Sequence, residues 1–228
     1  MKEIEYEERL SQLEEQQHLA LSRISHEIRN PVTLINSFLQ LIETQHPQVR
    51  DFDYWADTMD NLEFLKNLLR ELSDYNNSKA LHKVSVNFYD FMMQLVKSLE
   101  PVMEPLHVHI NLVKESALPD IDLDTTKFRE AILNLIRNSQ EAMPDGGEIC
   151  LKLHCDGAYF YLSIEDTGSG IKDEYMETLF QPFITHKKEG TGLGLAITKN
   201  VIDSHGGSIQ IMSHENKGTT FLISLPVA

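Results

Sequence analysis

The distribution of glycine divides this chain before any other feature does. None of its 11 glycines precedes the stretch "NNSKALHK" at residues 76–83. Upstream, apolar residues recur at helical spacing; downstream come alternating apolar runs, turn signals and every glycine. Glycine frees the backbone for turns and weakens helix interiors, so the two parts are suited to long helices and to a sheet-containing domain respectively. Two domains are expected, 1–78 and 79–228, each able to hold its own core.

The first domain reads as two helices. One spans about 5–44, with Leu10, Leu13, Ala20, Ile24, Ile28, Ile35, Leu39 and Ile42 along its apolar side. The other follows the turn "QHPQVRDF" and carries Trp55, Met59, Leu62, Leu65, Leu69 and Leu72. A lone hairpin has too little partner surface for such stripes, so pairing two hairpins into a four-helix bundle, hence a homodimer, is expected.

Bulk chemistry excludes some partners. With 20 Lys and Arg against 35 Asp and Glu, the net charge is -15, which argues against nucleic acid. The two cysteines, Cys150 and Cys155 in "CLKLHC", point to opposite faces of a strand and read as buried free thiols. No apolar run approaches the ~20 residues of a bilayer span, and no signal-peptide pattern opens the chain, so a soluble core in a reducing compartment is expected.

Within the first helix, "SHEIRNPV" sets His26 beside Glu27, with Pro31 one turn on. Ile24 and Ile28 share a face, and His26 lies about 200° away, toward solvent. Pro31 cannot donate to the carbonyl of residue 27, so a bend beside an exposed imidazole is expected.

The second domain reads as strand 83–86, helix 87–103, strand 107–113, helix 124–142, strands 147–155 and 158–165, an irregular stretch 167–191, helix 193–205, and strands 208–213 and 219–225. That order predicts an α/β sandwich, one sheet covered on one face by helices. "PDGG" at 144–147 and "CDGA" at 155–158 are turn signals, the second joining a hairpin. Three clusters suit a nucleotide. "NLIRNSQEAM" places Asn134 and Asn138 on one helix face, where amide oxygens suit Mg²⁺ held mainly by phosphates and water. "EDTGSGI" ends an apolar strand with Asp166, a carboxylate that accepts from an adenine amino group and repels a guanine carbonyl. "EGTGLGLAITKN" sets Gly190, Gly192 and Gly194 at a helix start, offering N–H groups to phosphates, with Lys187 and Lys188 adding positive charge. A dinucleotide fingerprint is excluded, because "PFITHKKE" rather than a strand precedes those glycines.

Together and in order, these segments resemble the transmitter region of sensor histidine kinases over essentially the whole chain. "SHEIRNP" resembles the H box, "NLIRNSQEAM" the N box, "DTGSGI" the G1 box, "LFQPFITHK" the F box, "GTGLGL" the G2 box and "GTTFLISLP" the closing strand motif. The hairpin is further similar to sporulation kinases of endospore-forming bacteria. The resemblance implies a dimerisation and phosphotransfer domain joined to an ATP-binding fold of the histidine kinase and gyrase type. It implies His26 as phosphoacceptor, Glu27 as proton acceptor, and Asn30 helping water attack a phosphorylated response regulator. It implies ATP and Mg²⁺ as ligands, with Asn138 on the metal and Asn134 and Arg137 beside it. Asp166, Gly168, Gly170 and Ile171 would hold adenine, with Thr220 behind it near Asp166. Lys187, Gly190, Thr191, Gly192, Leu193 and Gly194 would hold the phosphates under a mobile lid over 167–191, with Phe180 and Phe183 anchoring that lid to the hairpin. The implied partners are a response regulator receiver domain and an inhibitor protein on the helical domain. The implied location is a cytoplasmic core, with sensing or membrane segments before residue 1. Glu141 departs from the pattern, standing where many members carry a phosphate-contacting Lys; Lys187, Lys188 or Arg137 are the alternatives. Two rivals stay open: an ATP hydrolase or ATP-gated clamp with Glu130, four residues before Asn134, as its catalytic acid, and a non-catalytic dimer that binds ATP to regulate partner docking.

Overall fold

The computed structural model describes the backbone of residues 2–78, 80–187 and 190–227, and the side chains of those residues except 2–20, 22 and 26. The chain forms two compact units, one of residues 1–77 with 187–191, the other of 78–186 with 192–228.

The first unit is a helical hairpin. Helix α1 (Lys2–Gln45) continues through Pro31, so the proline does not end it. A 3-10 turn over Pro47–Asp51 then leads to α2 (Trp55–Asn77). Where the helices meet, Val32, Leu62 and Leu69 are buried, with Leu39 and Leu65 packed against them. Ser25, seven residues before Val32, is also buried and returns its hydroxyl proton to the Leu21 carbonyl at 2.7 Å.

This seam differs from the expected stripe. Within one chain α1 turns Ser25, Val32 and Leu39 inward, while Ile24 (49% exposed), Ile28, Ile35 and Ile42 stay exposed. Leu34, Phe38 and Leu41 are exposed too. Helix α1 therefore has two apolar sides, and α2 covers one. Ile24 and Ile28 thus do not mark the packed side of the hairpin, the premise that turned His26 toward solvent. The side chains of Leu10, Leu13, Ala20 and His26 lie outside the described residues.

The second unit is an α/β sandwich. Its main sheet has the order β2 (Val108–Lys114), β4 (Gly147–Cys155), β5 (Tyr159–Asp166), β7 (Thr219–Pro226), β6 (Ser208–Ser213). Strand β2 is parallel to β4, and the other pairs are antiparallel. Helices α3 (Phe88–Met103), α4 (Thr125–Glu141) and α5 (Gly194–Ser204) complete the unit. Alternation sends Ile149, Leu151 and Leu153 of β4, Phe160, Leu162 and Ile164 of β5, and Phe221, Ile223 and Leu225 of β7 into one core. There they meet Met92, Leu95, Ile132, Leu135 and Ile136 of the helices. The rings of Phe128 and Phe160 stand edge-on to Phe88 at 5.9 and 5.7 Å.

The expectation of one sheet is corrected in two respects. Strand β1 (Val84–Asn87) pairs outside the main sheet, with β3 (Asp120–Leu123), a strand that pattern reading missed. Four residues alternating Asp with Ile and Leu are too short to announce a strand, though Ile121 and Leu123 are buried as alternation requires. The stretch 167–191 is also not wholly irregular, since a 3-10 helix occupies Asp173–Thr178. Both cysteines are free, but each is half-buried rather than fully buried.

Candidate functional site

Helix α4 buries Phe128, Ala131, Ile132, Leu135, Ile136 and Ser139. Ser139 is the polar member of that face, and its hydroxyl donates to Asp166 Oδ2 at 2.9 Å. Asp166 closes β5 on the face of Phe160, Leu162 and Ile164, extending an apolar row with a carboxylate that is 8% exposed. Burying such a group is costly unless donors converge on it. Besides Ser139, the N–H groups of Gly168 (2.9 Å) and Thr219 (3.1 Å) both donate to Oδ1. The Gly168 bond closes a turn of the aspartate on its own backbone. A side chain at Gly168 would press on Ala142 of the α4 end.

The segment after Asp166 is tied to the β6–β7 turn. Ile171 donates its N–H to Ser213 Oγ at 2.9 Å; Ser213 in turn donates to the Gly218 carbonyl at 3.0 Å, with the Thr219 hydroxyl also 3.0 Å away. Gly170 and Gly218 have positive φ, 68° and 81°, and any Cβ there would strike the carbonyl of His214 or of Asp166 respectively. Both places accept glycine alone without local movement.

A second wall comes from the start of α5. Its N-cap position, Leu193, supplies no side-chain cap, whereas Asn87 caps α3 and Asp124 caps α4. First-turn N–H groups that receive no side-chain cap are suited to an anion. The Gly194 carbonyl accepts Asn134 Nδ2 at 3.4 Å, joining α5 to α4. Gly192, at φ 73°, accepts the Phe183 N–H at 3.0 Å and is too closely packed against residues 183 and 184 for a side chain.

The foot of α4 is held by a buried histidine. His205 Nε2 accepts the Asp124 N–H at 3.0 Å while Nδ1 donates to the Val201 carbonyl at 2.7 Å, which fixes the tautomer. Burial pushes the His205 pKa below its ordinary value. Burial alone would raise the Asp124 pKa, but N–H donors from His82 and Lys127 hold it below the usual carboxylate range.

The expected residues are distributed as follows. Asn134 and Asn138 are half-buried on α4 and Arg137 is exposed. Asp166, Gly168, Gly170 and Ile171 form the strand end just described, and Gly192, Leu193 and Gly194 start α5. Lys187, Gly190 and Thr191 group with the hairpin, where the Thr191 hydroxyl meets the Glu71 carboxylate. Glu27 and Asn30 are exposed on α1, Glu27 pairing with Arg23 at 3.4 Å. His26 lies on the α1 backbone, its side chain outside the described residues, as Lys188 is entirely. Thr220 requires correction: it pairs with Glu165 and lies on the opposite sheet face, and Thr219 is the threonine beside Asp166. Alternation from Phe221, Ile223 and Leu225 was the signal that would have found Thr219. Ser139 carried a signal as well, a hydroxyl in an otherwise apolar helix face.

Residues 123–228 match the family described as histidine kinase-, DNA gyrase B- and HSP90-like ATPase. Sporulation kinase A of Bacillus subtilis is 34% identical over 211 residues, covering 89% of this chain and 33% of that protein. The sensor histidine kinase ZraS of Escherichia coli K12 is 30% identical over 211 residues, covering 92% of this chain and 45% of that protein. The chain thus spans a third to a half of the length of these curated relatives. In fold it is similar to histidine kinase ThkA, solved in complex with the response regulator TrrA, at TM-score 0.67 and 24% identity over 97% of this chain and 64% of that one. No described helix is long and apolar enough to cross a membrane. The motif order, the glycine-lined end of β5 and these matches agree: residues 123–228 form a domain of the histidine kinase-, DNA gyrase B- and HSP90-like ATPase family, and about nine-tenths of the chain is similar to the transmitter regions of histidine kinases.

Proposed function

We propose that this chain phosphorylates itself on His26 from ATP and passes the phosphoryl group to an aspartate of a response regulator, in a relay of the sporulation kinase type. The observation that carries the reading is Asp166: a buried carboxylate held by three donors, with acceptor capacity left for an adenine amino group. Asp166 would read the base, with Gly168, Gly170, Ile171 and Thr219 forming the walls. The first turn of α5, Gly190, Thr191, Lys187 and Arg137 would meet the phosphates. Phosphoryl transfer is mainly positioning and charge neutralisation, so these groups have to bring the γ-phosphorus in line with an imidazole nitrogen. The nitrogen lone pair forms the new N–P bond, the bond to the β-phosphate oxygen breaks, ADP leaves, and Glu27 takes the imidazole proton. Asn30 would orient water for the reverse, dephosphorylating task on the response regulator.

Mg²⁺ fits the residues present. Among the described residues no cluster of three His, Cys, Asp or Glu could hold a metal, while Asn138 offers one hard amide oxygen at the half-buried face of α4. That donor set suits an ion ligated mostly by phosphate and water. Bound there, Mg²⁺ would neutralise phosphate charge.

The exposed Ile24, Ile28, Ile35 and Ile42 support a homodimer through the hairpin, as a four-helix bundle. The same hairpin surface would serve the receiver domain and a competing inhibitor protein. The ThkA–TrrA complex supports the first of these partners.

The test is incubation with γ-labelled ATP and Mg²⁺. Acid-labile, base-stable label on the protein is expected, absent in His26→Ala and retained in Glu130→Ala. Free phosphate without protein label, lost in Glu130→Ala, would instead establish the hydrolase reading.

A further inference from the structure

A serine hydroxyl inside a helix commonly returns its proton to the carbonyl four residues back. Ser25, Thr33 and Ser37 of this chain do so, to Leu21, Arg29 and Thr33. Ser139 does not. It is 1% exposed, and it reaches out of α4 to Asp166 Oδ2 at 2.9 Å.

A carboxylate offers about four acceptor positions, two on each oxygen. On Asp166 the N–H groups of Gly168 and Thr219 take both positions of Oδ1. Oδ2 holds the Ser139 proton and has one position left. We infer that Ser139 is a positioning residue for base selection: its hydroxyl fixes Asp166 Oδ2 so that the remaining acceptor position meets the 6-amino group of the purine. The two oxygens turn together about the Cβ–Cγ bond, a broad torsion in aspartate, and Ser139 restrains that turn from the Oδ2 side; without it the carboxylate is held through Oδ1 alone and its Oδ2 acceptor position is less sharply aimed. Charge and the phosphate-facing walls stay as they are. The loss therefore falls on the amino group and spares the rest of the nucleotide. A core defect would weaken every nucleotide alike.

This inference rests on Asp166 reading adenine, and the experiment separates the two. Dissociation constants are measured by calorimetry, with Mg²⁺, for ATP and for purine riboside triphosphate, which carries hydrogen in place of the 6-amino group. Wild type is expected to prefer ATP by roughly tenfold or more, the scale of one well-made hydrogen bond to a charged acceptor. Ser139→Ala is expected to cut that preference to about threefold or less, by weakening ATP and leaving the deamino analogue unchanged. Ser139→Thr, which keeps the hydroxyl, restores the preference. Equal weakening of both nucleotides in Ser139→Ala, with the preference intact, overturns the inference and leaves the Asp166 reading standing. A wild type that binds both alike overturns both. Should Ser139→Ala fail to fold, Ser139→Cys, of similar shape with a weak donor, gives the same readout: a reduced preference supports the inference and a retained one overturns it.

Discussion

His205 Nε2 accepts the backbone N–H of Asp124 at 3.0 Å, so a side chain at the end of α5 supports the first turn of α4, the helix of Asn134 and Asn138. A protonated His205 would present a second donor to that N–H and break the contact. Because burial depresses the His205 pKa, the unfolded chain binds more protons between the folded-state value and about 6.5. The stability due to neutral His205 is complete above that upper limit and is lost as pH falls toward the folded-state value. His205→Leu should cost about 1–3 kcal/mol at pH 8, through the orphaned Asp124 N–H, and less at pH 5. Denaturant melts of both proteins across this range check it. The groups that bear on the ring are Asp124, Lys83 and Lys127, and their mutation should move the midpoint without abolishing it.

Thr219 and Thr220 are neighbours with opposite assignments. Thr219→Val removes a buried hydroxyl 3.0 Å from Ser213 Oγ, beside the N–H that donates to Asp166. ATP affinity should fall by roughly threefold to tenfold, the scale of one neutral hydrogen bond. Thr220→Val, on the other sheet face, should leave affinity unchanged. Calorimetry on the pair decides which threonine serves the base.

Gly194 allows the fold and the proposed phosphate contact to be tested apart. It has no positive φ, and a Cβ there would meet nothing closer than Asn134 at 3.7 Å. Gly194→Ala should therefore keep or raise the melting temperature, since alanine favours a helix by about 0.8–1.0 kcal/mol. If phosphates approach the α5 backbone at this point, ATP affinity should nonetheless drop by tenfold or more, roughly the cost of displacing one charge-assisted contact. Gly170→Ala should instead lose stability first, because its Cβ has no room beside the His214 carbonyl. Thermal melts with and without nucleotide distinguish the two.

Ile35 is 50% exposed and Ile42 41% exposed on the side of α1 that α2 does not cover. Burying such side chains contributes roughly 1.5–3 kcal/mol each. Ile35→Glu with Ile42→Glu should convert a dimer into monomers by light scattering while helix content within each chain is retained. Persistent dimers would mean that another surface holds the copies together.

The sequence made the α/β unit legible because its signals are strong and local. Turn glycines bound the β4–β5 hairpin, and Asp166 ends an alternating apolar run. The hairpin was read less well, for a physical reason: α1 is apolar on two sides, and a periodic count cannot tell the side that meets α2, through Val32 and Leu39, from the side bearing Ile24 and Ile35. Strand β3 was lost to its four-residue length. Thr219 was confused with Thr220 by adjacency, although side-chain alternation separates them cleanly. Ser139 depends on a contact 27 positions away in sequence, which no local pattern encodes.

Strand β7 lies between β5 and β6 although it is the last to be written in chain order. During translation, the ribosome releases Asp166 long before the Thr219 amide that completes its surroundings. A nascent chain halted anywhere before residue 219 therefore carries an Asp166 carboxylate short of one donor and a sheet with its inner strand missing. The carboxylate at the end of β5 thus waits some fifty residues of synthesis for its last donor, and products stopped before that donor should lack any function that depends on it.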